Sequence, residues 1–160
     1  MSLSRALAAP AAALGLLAAA LPASAAPILL ENGVAFLEID PESPDGLTGW
    51  TVNGVPHVRT QSFWIGTAGG PEIPLSDLSL FLVQTDDADG DGVTDGLGLI
   101  YTRPDGPPVG IGYKLTGSAI GASGPLVSEL RIDVRIFESE DGETIRLVQY
   151  TDVDLFNSYA

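Results

Sequence analysis

The sequence predicts an all-β domain, an antiparallel β-sandwich, preceded by a leader that is removed. Three observations predict it. Helical periodicity is absent after residue 25, while short runs of β-branched, aromatic and alternating apolar residues recur. The runs are separated by Gly, Pro, Asn and Asp, in a chain that holds 19 Gly and 12 Pro. Their spacing is short and regular, as in sandwiches, with no helix-length segments between them.

The leader comes first in the chain. Arg5 gives a basic start, residues 7–21 form an uncharged Ala/Leu run, and Ala23-Ser24-Ala25 places small residues where a signal peptidase cleaves. The run is shorter than the ~20 residues of a membrane-spanning helix, and Pro10, Gly15 and Pro22 interrupt it, so removal is favoured over anchoring. The expected organisation is a signal peptide over residues 1–25, cleaved after Ala25, and one β-rich domain over residues 26–160. The expected location is secreted, at the cell surface or in the periplasm, with no membrane span in the mature chain.

Candidate strands follow at 34–39, 49–52, 57–60, 62–65, 78–85, 97–102, 109–116, 126–137 and 144–152. The clearest is 126–137, where Leu130, Ile132, Val134 and Ile136 alternate with Glu129, Arg131, Asp133 and Arg135. A period of two describes a strand with one wet and one buried face. Asn53-Gly54 and Asp141-Gly142 are hairpin signals because both dipeptides tolerate positive φ. The second predicts that 126–137 and 144–152 pair as a hairpin. The more continuously apolar 78–83 and 97–101 read as central strands buried on both faces. The Pro/Gly-rich pieces 41–49, 67–74, 104–108 and 117–125 read as surface loops, none long enough for a second domain.

Composition narrows the partners. All 21 acidic residues lie beyond residue 25, and the formal net charge of the whole chain is −14. Such a surface repels nucleic acid and anionic lipid and attracts divalent cations. There is no cysteine, so an exported chain of this size must be held by its core or by metal, and thiol chemistry is excluded. His57 is the single histidine, which disfavours His-rich metal sites.

One segment carries site chemistry: Asp86-Asp87-Ala88-Asp89-Gly90-Asp91-Gly92-Val93-Thr94-Asp95. Asp87, Asp89 and Asp91 occupy positions 1, 3 and 5 of a Ca²⁺ loop, Gly92 stands at the sharp turn of position 6, Val93 offers its carbonyl at position 7, and Asp95 stands at position 9. Hard oxygen donors in a curled loop suit Ca²⁺ better than a transition metal. Position 12 is Gly98, so the bidentate Glu of an EF-hand is missing, and the flanks read as strands. The expectation is a Ca²⁺ loop inserted in a β-hairpin, with affinity on the order of 10⁻⁴–10⁻³ M as in extracellular modules. The competing reading is a hydrated acidic turn that binds nothing specific.

Weaker constellations complete the inventory. His57 lacks a nucleophile elbow to serve, and Ser123 sits in a Gly/Ala loop. Asp152 and Asp154 could face one side of the last strand as a carboxylate pair. Gly110-Ile111-Gly112-Tyr113-Lys114 sits on a strand pattern and reads as structural. Trp50, Phe63, Trp64, Tyr101, Tyr113 and Tyr150 are either core or a sugar-stacking platform.

The series Thr48-Gly49-Trp50-Thr51-Val52-Asn53-Gly54-Val55-Pro56-His57, Gln61-Ser62-Phe63-Trp64-Ile65-Gly66, Gly70-Pro71-Glu72, Tyr113-Lys114-Leu115-Thr116-Gly117 and Gln149-Tyr150-Thr151-Asp152-Val153-Asp154-Leu155 resembles secreted bacterial proteins with a PEP-CTERM (exosortase-type) sorting tail. The resemblance implies an exported β-rich envelope or matrix protein and supplies no catalytic residue. The Pro-Glu-Pro tail, anchor helix and terminal basic cluster of that family are not among these 160 residues, so the domain is expected to be cut short at its C-terminal side or released. A fainter similarity, through 113–117, 130–137 and 150–155, is to β-supersandwich sugar-binding domains of the mutarotase type.

The resulting expectation is an exported acidic β-sandwich acting as a surface or extracellular-matrix protein, Ca²⁺-stabilised through Asp87, Asp89, Asp91, Val93 and Asp95. Its partners would be extracellular polysaccharide or envelope components, and not nucleic acid. The alternatives are a carbohydrate-binding module using Trp50 and Trp64, and a carbohydrate-active enzyme using Asp152 and Asp154.

Overall fold

The computed structural model describes residues 26–104, 106–118, 123, 127–137 and 144–153. The expected leader at 1–25, the expected Asp141-Gly142 turn and Asp154 lie outside them. Among the described residues the strands are β1 (Ile28–Asn32), β2 (Ala35–Ile39), β3 (Leu47–Val52), β4 (Val55–Thr67), β5 (Ile73–Pro74), β6 (Ser79–Asp86), β7 (Gly96–Arg103), β8 (Gly106–Gly117), β9 (Ser128–Ile136) and β10 (Ile145–Val153). A 3₁₀ turn at Leu75–Asp77 joins β5 to β6.

Two antiparallel sheets face each other, as the sequence predicts. The first runs β1-β2-β3-β4-β10, with β5 added on β4; the second runs β6-β7-β8-β9. Alternation builds the layer between them. In β2, Ala35, Leu37 and Ile39 are buried while Phe36 and Glu38 point out. In β7 and β8, Leu97, Leu99, Tyr101, Val109, Ile111, Tyr113 and Leu115 form the facing row, and the two rows make one core cluster. Each fully buried Leu or Ile in it contributes about 1.5–3 kcal/mol of transfer free energy. No helix among the described residues is long and apolar enough to cross a membrane.

The Asn53-Gly54 signal is realised as the β3–β4 turn, with both residues at positive φ (51° and 76°). Segments 57–60 and 62–65, read as separate strands, are one strand of 13 residues. The polar Gln61 that divides them on paper is buried inside β4 and paired with Leu47. One long strand is needed because β3 lines its first half, β5 its second half, and β10 its other side.

Three expectations are corrected. Segments 126–137 and 144–152 do not form a hairpin: β9 pairs with β8 and β10 pairs with β4, in different sheets. Each strand's apolar row continues the inner row of its own sheet, Leu130 and Ile132 beside Leu115 and Tyr113, Leu147 beside Ile65. The strand β6 is not buried on both faces. Among the described residues it has one hydrogen-bonded neighbour, β7, and its Phe81 is 73% exposed; β7 alone of that pair is central. Finally, β1 was not among the expected strands, yet it completes the first sheet at its edge.

Candidate metal centre

The acidic segment is the connection of a β-hairpin. Strands β6 and β7 pair from Ser79–Thr102 up to Asp86–Gly96, and the Asp95 N–H donates to the Asp86 carbonyl at 3.0 Å, closing the ladder beneath the loop. Gly90 and Gly92 adopt φ of 78° and 91°, conformations that side-chain-bearing residues rarely take, so the two glycines let the chain curl.

The curl brings three carboxylates together. One oxygen from each of Asp87, Asp89 and Asp91 lies within 4.8 Å of the others, and all three residues are exposed. Backbone N–H groups fix their orientation. Asp87 Oδ1 accepts from Gly90 (2.7 Å) and Asp91 (3.2 Å), and its Oδ2 accepts from Gly92 (2.9 Å). Asp89 Oδ1 accepts from Asp91 (3.2 Å), and Asp91 Oδ1 accepts from Val93 (2.8 Å). Like charges this close repel by about 1 kcal/mol per pair even at the dielectric constant of water. The loop holds them together against that repulsion.

Asp95, expected as a fourth side-chain donor, is 2% exposed and is not in the group of three whose oxygens lie within 4.8 Å of one another. Its Oδ1 accepts from the Ala88 N–H at 2.9 Å, and its Oδ2 accepts from the Asn32 side-chain amide at 3.4 Å. This carboxylate braces the loop from below.

Asn32 was missed by sequence reasoning. Its Nδ2 donates to both Asp89 (3.2 Å) and Asp95, and its Oδ1 accepts from the Gly117 N–H at 3.0 Å. The Glu31 N–H donates to the Thr94 carbonyl at 2.8 Å. The β1–β2 turn is thus fastened to the acidic loop and to the end of β8. A signal was present: Asn32-Gly33 is the same turn dipeptide as Asn53-Gly54.

Together these elements wall a recess of about 370 Å³ lined by Glu31, Asn32, Gly33, Asp89, Asp91, Val93 and Gly117. Val93, the expected carbonyl donor, is on that wall. Gly98, at position 12, is a β7 residue paired with Gln84 and Gly112 and offers no ligand. The donor set is oxygen only, which fits a hard divalent cation and not a thiolate- or imidazole-seeking metal.

The weaker constellations are dispersed. His57 is on the exposed side of β4, tilted at 47° to the Trp50 ring 6.1 Å away. Ser123 is exposed in a bend, and Asp152 is exposed on β10. Gly110 to Lys114 lie within β8, as read. Of the aromatics, Phe63, Tyr101 and Tyr113 are core, with the Tyr101 hydroxyl donating to the Pro41 carbonyl at 3.0 Å. Trp64 and Tyr150 are exposed on the outer face of the β4–β10 pair.

Comparison of the chain with protein-family models, with curated proteins and with solved structures finds no match in any of the three.

Proposed function

We propose that this protein is an exported, Ca²⁺-stabilised β-sandwich that serves as a surface or extracellular-matrix component, of the kind that carries a PEP-CTERM tail. The convergence of Asp87, Asp89 and Asp91 at the tip of a braced hairpin carries this reading. Asp87, Asp89, Asp91 and the Val93 carbonyl would hold the ion, with water completing its shell, and Asp95 and Asn32 would position them. A site with few protein ligands needs the millimolar calcium found outside cells. The acidic surface then favours polysaccharide or envelope partners reached through the cation over nucleic acid.

Thermal melts in EDTA and in about 10 mM Ca²⁺ test the metal. For a dissociation constant on the order of 10⁻⁴–10⁻³ M, the ion adds about 1.5–3 kcal/mol, a rise of several degrees in midpoint. An unchanged midpoint removes calcium from the proposal.

A second reading, sugar binding, rests on a different observation. Trp64 lies opposite Val148 and Tyr150 opposite Ser62, so the two aromatic rings are diagonal neighbours on one exposed face. Flat exposed rings on a sheet suit sugar stacking. Glycan-array binding abolished by Trp64→Ala but retained in Trp50→Ala, with both variants folded, would support it.

A further inference from the structure

We propose that β9 is a self-pairing edge, and that two copies of this chain join antiparallel along it, centred on Ile132. Among the described residues, strand β9 is the edge of its sheet, with β8 as its neighbour on one side only. The Phe137 N–H donates to the Pro108 carbonyl (3.0 Å) and the Ser118 N–H to the Val127 carbonyl (2.8 Å), in register with the β8–β9 ladder. Odd-numbered residues of β9 therefore spend their backbone groups on β8. The even-numbered ones, Ser128, Leu130, Ile132, Val134 and Ile136, turn theirs to the open edge. An uncovered row of this kind is a template for another strand.

The outward side chains select which strand. They read Glu129, Arg131, Asp133, Arg135, an order whose charges invert when the strand is turned end for end. An antiparallel copy centred on Ile132 sets Arg131 opposite Asp133 and Glu129 opposite Arg135, each contact occurring twice by the two-fold symmetry. All four charged residues are matched. Moving the centre by one residue, to Asp133, sets Arg131 against Arg135. Opposite charges directly across an antiparallel pair stabilise it and like charges destabilise it.

The inner row gains as well. Val134 and Ile136 face the sandwich interior but are 37% and 41% exposed at this edge. Pairing about Ile132 puts Leu130 of each copy beside Val134 of the other, covering them. The four strands β6-β7-β8-β9 would become one continuous sheet of two copies, with backbone hydrogen bonds supplying affinity and the charge order supplying register.

Inside one chain, Arg131 stands opposite Lys114 on β8 and is bonded to Asp133 at 2.9 Å. Arg131→Asp thus trades the like-charge contact with Lys114 for an opposite-charge one, gives up the pair with Asp133 within the monomer, and creates two Asp–Asp contacts between copies. Sedimentation equilibrium of the purified protein, with folding checked by circular dichroism, is the test. The wild type should be dimeric below about 100 µM. Arg131→Asp should weaken dimerisation at least about tenfold, and Arg131→Asp with Asp133→Arg should restore it to within about threefold of wild type. Val134→Pro deletes an N–H that faces the open edge, a tolerated place for proline in the monomer, and should abolish the dimer. A wild type that stays monomeric, an Arg131→Asp variant that pairs undiminished, or a swapped double variant that stays apart overturns the proposal.

Discussion

The side-chain amide of Asn32 hydrogen-bonds the buried carboxylate of Asp95 at 3.4 Å, joining residues 63 positions apart. The same nitrogen reaches Asp89, and the amide oxygen takes the Gly117 N–H. One side chain thus links the β1–β2 turn, the acidic loop and the end of β8. The brace lies at the sheet-to-sheet junction, so loop shape and sandwich stability are coupled.

Asn32→Ala should therefore cost more than an ordinary surface truncation. It removes all three hydrogen bonds and leaves Asp95, 2% exposed, with the Ala88 N–H as its donor. Under-satisfying a buried carboxylate costs about 1–3 kcal/mol, which lowers the thermal midpoint by several degrees. A differential scanning fluorimetry midpoint equal to wild type would show that the brace carries no stability.

Gly117 is the other half of this junction. A Cβ built there would collide with the Asn32 carbonyl oxygen and press on Ala35. The nearest atom in the way is backbone, which cannot rotate aside. Gly117→Ala should destabilise by about 1–3 kcal/mol as an overpacking change. Gly49→Ala meets nothing within 4 Å and is the control, with no clash to add. Urea midpoints of the two variants should differ in that order.

The two core tyrosines predict alkaline behaviour. Burial raises the Tyr113 phenol far above its ordinary value, with the nearby Tyr101 adding to the effect. Burial likewise raises Tyr101, with further contributions from Asp40 and Glu42. An unfolded tyrosine ionises near pH 10, whereas these two stay protonated in the fold. Protons then favour the folded state. Stability is fully present below pH 10 and falls above it by about 1.4 kcal/mol per pH unit for each tyrosine. Tyr113→Phe should roughly halve that slope, measured by denaturant midpoints between pH 10 and 12, and an unaltered slope would contradict it.

Local pattern and long-range pairing differ in how far the sequence carried them. The alternation in β9 and the Asn53-Gly54 turn are properties of neighbouring residues, and both are where the sequence puts them. The partner of β9 is not local: alternation states that Ile132 faces inward but not which sheet it extends. The same holds for β6, whose apolar run fits a central or an edge strand until β7 is seen to lie on one side only. At the site, Asp87, Asp89 and Asp91 were legible because the short loop between β6 and β7 encodes their convergence by itself. Asn32 was not, since its role depends on a turn brought from more than fifty residues away. Asp95 was legible as a site residue but not in its function, because burial under the β1–β2 turn is decided by tertiary packing.

Two substitutions in the acidic loop separate ligand from brace. Asp91 accepts the Val93 N–H through Oδ1, an interaction that Asn at that position preserves. Asp91→Asn removes one negative charge from a cluster whose members repel one another, so its melt in EDTA should match wild type or lie slightly higher. Its increment in Ca²⁺ should fall away, because a charged donor has been lost from a site with few protein ligands. Asp95→Asn behaves in the opposite way. It can keep an acceptor for Ala88, but its new amide then confronts the Asn32 amide, donor against donor, at a buried position. That should cost about 1–3 kcal/mol in EDTA and in Ca²⁺ alike. If Asp91→Asn retains the calcium increment, Asp91 is not a ligand. If Asp95→Asn loses stability only when calcium is present, Asp95 coordinates the ion and its bracing role is wrong.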